Sequence, residues 1–303
     1  MSKPDPGPVD YGLLVTLSLI WGSAFLLSKI AVADFPPITI TLLRQVLAAA
    51  LLGGLALVVG QRRFRPSARD HAVMAFAALT GMAIPYTLIN WGVEVVDSGL
   101  AAILMGFMPL SVLVLAHFFT HDEKLTGPRI IGVTMGIGGL AILFWPALRA
   151  GFGQDLWRQA ALLGAAFAYA VNALAVKRLV GHPPLVLMAC ITAWSLVLLL
   201  PAAFIFEAPL AATPSGDSVM ALIALAALPS AAGALFMLAI IARQGASFFG
   251  QINLLVPLAG VFVGVVFAGE RPGWNALAAL VVSVSGVIVA RLGTRGRRAA
   301  AVQ

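Results

Sequence analysis

The chain is short of charge, of cysteine and of tyrosine: 10% of its 303 residues are Asp, Glu, Lys or Arg, and it holds one cysteine and three tyrosines. So few charges beside 61% hydrophobic residues exclude an ordinary soluble domain, which would leave too much apolar surface in water. The single cysteine, Cys190, lies inside an apolar run, which excludes an intrachain disulfide and a cysteine metal site. A phosphate-binding P-loop is absent, which excludes ATP-driven transport by this chain alone. No Asp or Glu falls near the middle of an apolar run, so no intramembrane carboxylate is available for proton exchange, and no mid-run Lys suits a retinal receptor. His71, His117, His121 and His182 sit near run ends, leaving no protease pair at mid-bilayer depth. His117 and His121 have metal-like spacing but no third ligand beyond Asp122, so neither metal nor cofactor is expected. The net charge of +7 resides in short loops, where it sets membrane orientation rather than nucleic-acid binding.

What the chain has is apolar runs, each of about the 20 residues that an α-helix needs to cross roughly 30 Å of hydrocarbon. They predict helices over 11–30, 37–60, 71–91, 100–119 and 128–145, then, past a loop at 149–158, over 160–176, 184–206, 218–241, 248–268 and 273–291. The fold class is all-α integral membrane with ten transmembrane helices. Pro36-Pro37 and Pro183-Pro184 restart the chain, because proline suits a helix's first turn. Ala31-Val32-Ala33 resembles a signal-peptidase site. The head, however, sets Lys3 against Asp5 and Asp10, the run exceeds a signal core, and Lys29 interrupts the junction, so it is read as a helix.

The chain also repeats itself. The stretch 100–126 has an echo near Phe248: Pro109-Leu110 lies over Pro257-Leu258, Glu123 over Glu270 and Gly139 over Gly286, at an offset of 147 or 148 residues. This divides it into a first repeat at 11–146, a second at 156–292 and a basic tail at 293–303. Five crossings per repeat is odd, so equivalent loops fall on opposite faces. The charges invert accordingly: Arg62, Arg63, Arg65 and Arg69 follow the second helix, whereas Glu207 and Asp217 follow the seventh. With both termini cytoplasmic, 14 Lys and Arg lie on that side and four (Lys29, Arg149, Arg158, Arg271) on the other, as the positive-inside rule requires. Inverted repeats about an in-plane two-fold are the plan of many secondary transporters.

Trp21-Gly22-Ser23, Phe25, Lys29, Pro37, Arg44 and Ala48 resemble the opening of an EamA domain of the drug/metabolite transporter superfamily. Asp122 to Thr126 with Gly132 and Gly139, and Gly269 to Arg271 with Gly286, resemble its closing signature. The second repeat departs from the pattern, with Ala168-Tyr169 for Trp-Gly and Ala279 where the first repeat has Gly132. The whole chain is similar to the YddG-type bacterial exporters. That resemblance implies export of aromatic and other neutral amino acids across the inner membrane. From the residues alone, other metabolites, nucleosides, cationic drugs and a channel-like pore stay open.

Polar and aromatic side chains deep in helices cost free energy unless they are paired or face a cavity, which makes them candidates for a substrate site. Trp21 and Ser23 lie mid-helix in the first run. Met82, Tyr86 and Asn90 share a face of the third, Tyr169 and Asn172 a face of the sixth, and Gln251 and Asn253 enter the ninth. Met105 and Met108 offer an adaptable apolar wall, with packing as the plainer reading. Pro109 and Pro257 are candidate hinges, and Pro85 and Pro229 candidate kinks. Arg44, the one charge well inside a run, can snorkel to an interface, pair with a loop acid or meet a substrate carboxylate; because the family pattern carries Arg there irrespective of substrate, a structural role is favoured. Glu123 and Glu270 fall at helix ends, where capping is expected. Gly132 with Gly139, answered by Ala279 with Gly286, places helices five and ten together within one chain, so a monomer suffices and a homodimer is the alternative.

Overall fold

The computed structural model describes residues 5–59, 66–119, 126–150, 154–179 and 181–300, with side chains for all of these except 146–150, 154–155, 247 and 291–300. Lys3, Arg62, Arg63, Arg65, His121, Asp122, Glu123 and Lys124 lie outside the described residues, as do the side chains of Arg149 and of the basic tail.

Among the described residues there is no strand, and eight helices are long and apolar enough to cross a membrane. They are α1 (Pro8–Ala31), α2 (Pro37–Val58), α3 (Ala68–Val93), α4 (Ser98–Phe119), α5 (Gly127–Trp145), α6 (Leu156–Leu179), α7 (Pro184–Phe206) and α8 (Gly216–Gln244). Two shorter apolar helices follow, α9 (Ile252–Ala268) and α10 (Trp274–Ala290). Pro8, Pro37 and Pro184 each open a helix, where the missing amide costs nothing. The chain is a multi-pass membrane protein.

The backbone departs from uninterrupted runs at four places. α3 and α8 each contain a π turn, Leu79–Ala83 and Ala226–Ala232, beginning 147 residues apart. Pro229 lies inside the second and Pro85 two residues past the first, so the lost amides are absorbed by a widened turn. α4, expected as one run, is interrupted at Gly106 and Phe107 and restarts at Met108, with Pro109 in the new first turn. Ahead of α9 a short helix, Ala246–Phe249, is followed by a break at Gly250 and Gln251, and Pro257 sits inside α9 itself.

Packing pairs α1 with α9 and α4 with α6, α3 with α6 and α8 with α1, α2 with α7, and α5 with α10. Exchanging each helix for the one five places along maps this set onto itself. Where α1 crosses α9 the backbones touch: a Cβ on Gly22 would lie 2.8 Å from the amide nitrogen of Gly260. The largest buried apolar cluster sits at the first half of α4, where Ala101, Ala102, Ile103 and Leu104 meet Val93 of α3, Leu162 and Ala165 of α6, and Ala279 of α10.

One end of the bundle is stitched by acids. Glu207, just past α7, accepts from the Ile38 and Thr39 amides and the Thr39 hydroxyl at the start of α2, at 2.7 to 2.8 Å. Arg158 pairs with Glu94 and stacks 4.2 Å over the Trp91 ring. Asp34, between α1 and α2, accepts from the Ser215 hydroxyl, the Ser215 amide and the Ser218 hydroxyl at 2.5 to 2.9 Å. The Ser215 hydroxyl first, then its amide and the Ser218 hydroxyl, hold the Asp34 carboxyl below its ordinary 3.8. A depressed carboxyl lends stability above its unfolded value and loses it as the pH falls below about 3.8. Asp34→Asn is therefore expected to lower the unfolding temperature of the detergent-purified protein by a few degrees at pH 7, with the gap to wild type closing below about pH 4.

Candidate functional site

Two turns into α2, Arg44 is 5% exposed, a cation in the middle of an apolar bundle. Its surroundings follow from the π turn of α8. Pro229 has no amide to offer the Leu225 carbonyl, so the Ser230 hydroxyl donates there instead, at 3.1 Å. The same oxygen accepts Nε of Arg44 at 2.7 Å. On its other side the guanidinium lies 3.9 Å over the Tyr86 ring of α3. Nη1 and Nη2 have no partner among the described residues and are not sealed from solvent, and no described Asp or Glu pairs with this arginine.

Tyr86 leads on to α6. Its ring meets that of Tyr169 at 6.3 Å in an edge-to-face pose, and Tyr169 lies within electrostatic reach of both Tyr86 and Arg44. Asn172, on the same face as Tyr169, packs against Gly81 in the π turn of α3: a Cβ there would lie 2.6 Å from its Nδ2. The Asn172 Oδ1 is buried with no hydrogen-bond partner. Beside it the Met82 sulfur accepts Nε2 of Gln45 at 2.8 Å, and Gln45 also donates to Ser195 of α7 at 3.0 Å. Tyr86, Met82, Tyr169 and Asn172 all keep partial exposure although they sit mid-helix.

The other expected site residues do not join this group. Asn90, 1% exposed, spends its amide nitrogen on the Pro37 carbonyl and the Thr41 hydroxyl, tying α3 to the start of α2, and its Oδ1, like that of Asn172, is buried without a partner. The Ser23 hydroxyl returns to the Ile20 carbonyl. Trp21 donates from its indole to the Pro229 carbonyl and edges onto Phe249. Met105 packs on the main core cluster. Met108 and Asn253 are partly exposed near the breaks. Gly106 brings the break in α4 against the ring of Pro257, where a Cβ would lie 3.0 Å from its Cγ.

Positions one repeat apart explain why the cluster is one-sided. Trp21 and Gly233 pack together between α1 and α8; 147 residues away from each stand Ala168 and Tyr86. Likewise Gly22, flush on α9, answers to Tyr169. Large and small residues are thus exchanged between the repeats, so that α1 closes tightly while α3 and α6 hold their aromatic rings beside Arg44. Sequence reading missed Ser230, Gln45 and Gly81; the exchange between repeats is the signal that would have found Gly81, while Ser230, 186 residues from Arg44, leaves none.

A crevice at the Glu270 end, lined among others by Asp97, Gln159, Arg271 and Asn275, is separate from this group. Among the described residues no three His, Cys, Asp or Glu gather to hold a metal.

Residues 11–145 and 156–292 each match the EamA-like transporter family. A probable terminal-alkyne amino-acid exporter of Streptantibioticus cattleyicolor is 30% identical over 291 residues, covering 94% of this chain and 94% of that protein. A probable amino-acid metabolite efflux pump of Salmonella typhimurium is 24% identical, covering 97% and 98%. A solved crystal structure superposes with a TM-score of 0.66 at 21% identity, over 94% of this chain and 97% of the other, a likeness of fold alone.

Proposed function

The chain belongs to the EamA-like transporter family, and we propose that it is a secondary exporter of neutral amino acids, aromatic ones among them, working by alternating access about the site between α3 and α6. It lies in the bacterial inner membrane, with both termini in the cytoplasm and its two repeats inverted. The helix pairings that survive exchange of the repeats and the uneven Lys and Arg distribution support that topology. The Glu270 end then faces outward and is the closed gate in this conformation, held by Glu207, Asp34, Arg158 and Glu270. Gly106 against Pro257 puts the break of α4 and the proline of α9 side by side, where Pro109 and Pro257 act as hinges. The pairing of α5 with α10 inside one chain makes a monomer sufficient.

One observation carries this reading: an aromatic pair and an unpartnered amide oxygen within membrane-length helices, beside an arginine, with no described acid among them. Rings favour an aromatic side chain, and polar groups left unpaired in hydrocarbon mark a substrate path. The names of the two relatives, both concerned with amino acids, agree with it. In proteoliposomes, labelled phenylalanine should show saturable, trans-stimulated counterflow. Tyr169→Ala and Asn172→Ala should each cut it by about 10-fold with unfolding temperature unchanged. Flux linear in concentration would mark a pore and overturn the carrier.

A further inference from the structure

The arginine at the centre of this site is held in a way that a merely structural cation would not need. Transferring a charge into hydrocarbon is costly, and proteins offset the cost with a paired acid, by snorkelling to an interface, or with a ligand. Arg44 does not reach an interface, since it is 5% exposed and contacts mid-helix residues of α3 and α8. It pairs with no described acid. Its Nε is fixed by Ser230 and one planar face by Tyr86, so rotation of the guanidinium is blocked while the Nη1–Nη2 edge is left without a partner. That edge presents the paired N–H donors that match the two oxygens of a carboxylate.

We propose that Arg44 is the carboxylate receptor of the transport path, so that the chain carries solutes bearing a free carboxylate and rejects amines, amides and cationic compounds. This rests on the pocket between α3 and α6 being the transport site. A zwitterion is the solute that leaves the least charge uncompensated there: its carboxylate meets Arg44, and its ammonium faces the Tyr86 and Tyr169 rings and the acceptor oxygen of Asn172. A cation entering the same space meets the guanidinium with no acid to offset it. Cationic drugs, open on the sequence alone, are thereby excluded as substrates.

The test sets four solutes of one ring size against labelled phenylalanine in proteoliposomes, and against thermal unfolding of the purified full chain: phenylalanine, phenylalaninamide, phenethylamine and 3-phenylpropionate. The wild type should be stabilised and competed by phenylalanine, and less strongly by 3-phenylpropionate, while the amide and the amine act about 30-fold more weakly than phenylalanine, the loss of a hydrogen-bonded charge contact. Arg44→Gln should erase the difference between acid and amide. Arg44→Lys, which keeps the charge but not the paired donors, should weaken phenylalanine by about 10-fold and leave a reduced preference for the acid. The wild-type panel decides the matter even if a variant fails to fold. Amide or amine binding the wild type as well as phenylalanine does would overturn the assignment, as would a folded Arg44→Gln with undiminished discrimination. Binding of 3-phenylpropionate without exchange of any amino acid would keep Arg44 as receptor and remove the amino-acid reading. Amino-acid exchange with the amide as an equal competitor would do the reverse, and a panel in which no carboxylate binds removes both.

Discussion

Glu270→Ala is expected to lower the unfolding temperature of the purified protein by about 5–10 °C and to remove most of the counterflow. Gly269 adopts the left-handed conformation at φ 66, closing α9, and the Glu270 amide returns to the Gly264 carbonyl at 3.1 Å. The side chain then swings onto a different helix. Oε1 accepts the Ser98 amide and hydroxyl, and Oε2 the Gly99 amide, each at 2.8 Å, at the start of α4. Lys29 of α1 stands 3.7 Å away and itself pairs with Asp97 at 2.5 Å. One carboxylate, 8% exposed, therefore ties α9 to α4 next to α1. Bonds to a charged acceptor are worth about 1.5–3 kcal/mol each, not additively, and an acid at a helix N-terminus adds up to about 1 kcal/mol. Truncation leaves two amides with no acceptor, so a net loss of about 3 kcal/mol gives the shift quoted above. Glu270→Gln, with one acceptor oxygen and an amide NH2 facing N–H donors, should lose about half as much. Asp97→Ala removes only an exposed pair and should cost about 1 kcal/mol or less. An unchanged unfolding temperature in Glu270→Ala would mean that these contacts do not hold the gate.

The Gly269-Glu270-Arg271 signature shows how far a sequence can be read here. That Glu270 sits at a helix end is visible from the run that precedes it; that the helix it caps is α4 is not, because its partner Ser98 is 172 residues away. The eight long spans were legible because apolar length alone dictates them. The interruptions were not: proline marks where an amide is lost, yet whether the chain answers with the π turn at Pro229 or the break before Pro109 depends on what packs beside it. Asn90 and Asn172 look alike in sequence, each a turn from a tyrosine. Both keep a buried oxygen without a partner; what separates them is that Asn90, 1% exposed, gives its amide nitrogen to the Pro37 carbonyl and Thr41, while Asn172 keeps partial exposure beside Tyr169. In the sequence Arg44 is open to a structural role or to a substrate carboxylate, the family pattern favouring the first; the absence of a described acid beside it and the fixed face over Tyr86 recommend it for binding.

Gly132→Leu should prevent accumulation of folded protein altogether. A Cβ at Gly132 would overlap the Gly286 carbonyl and lie 2.8 Å from the Ala290 Cβ, and one at Gly286 would lie 2.7 Å from the Gly132 carbonyl. The obstacle is backbone on both sides, which cannot rotate away, so α5 and α10 must separate along their length. Each is held chiefly by the other, since α10 touches α4 and α9 only lightly and α5 meets little beyond α4. In lipid, where apolar side chains gain little by leaving the acyl chains for one another, close backbone contact is what keeps such a pair together. Overpacking against fixed atoms typically costs 1–3 kcal/mol, and here it undoes a whole helix pair, which places the loss at or beyond about 4 kcal/mol. Gly138→Ala, with nothing within 4 Å of its Cβ, should be neutral by the same measure. Size-exclusion profiles and protease resistance of the membrane-extracted variants would check both. If Gly132→Leu instead folds as a monomer while the wild type crosslinks through single cysteines on α10 in a Cys190→Ser background, then the glycine face serves a second copy of the chain, and α5 is not the partner that α10 needs.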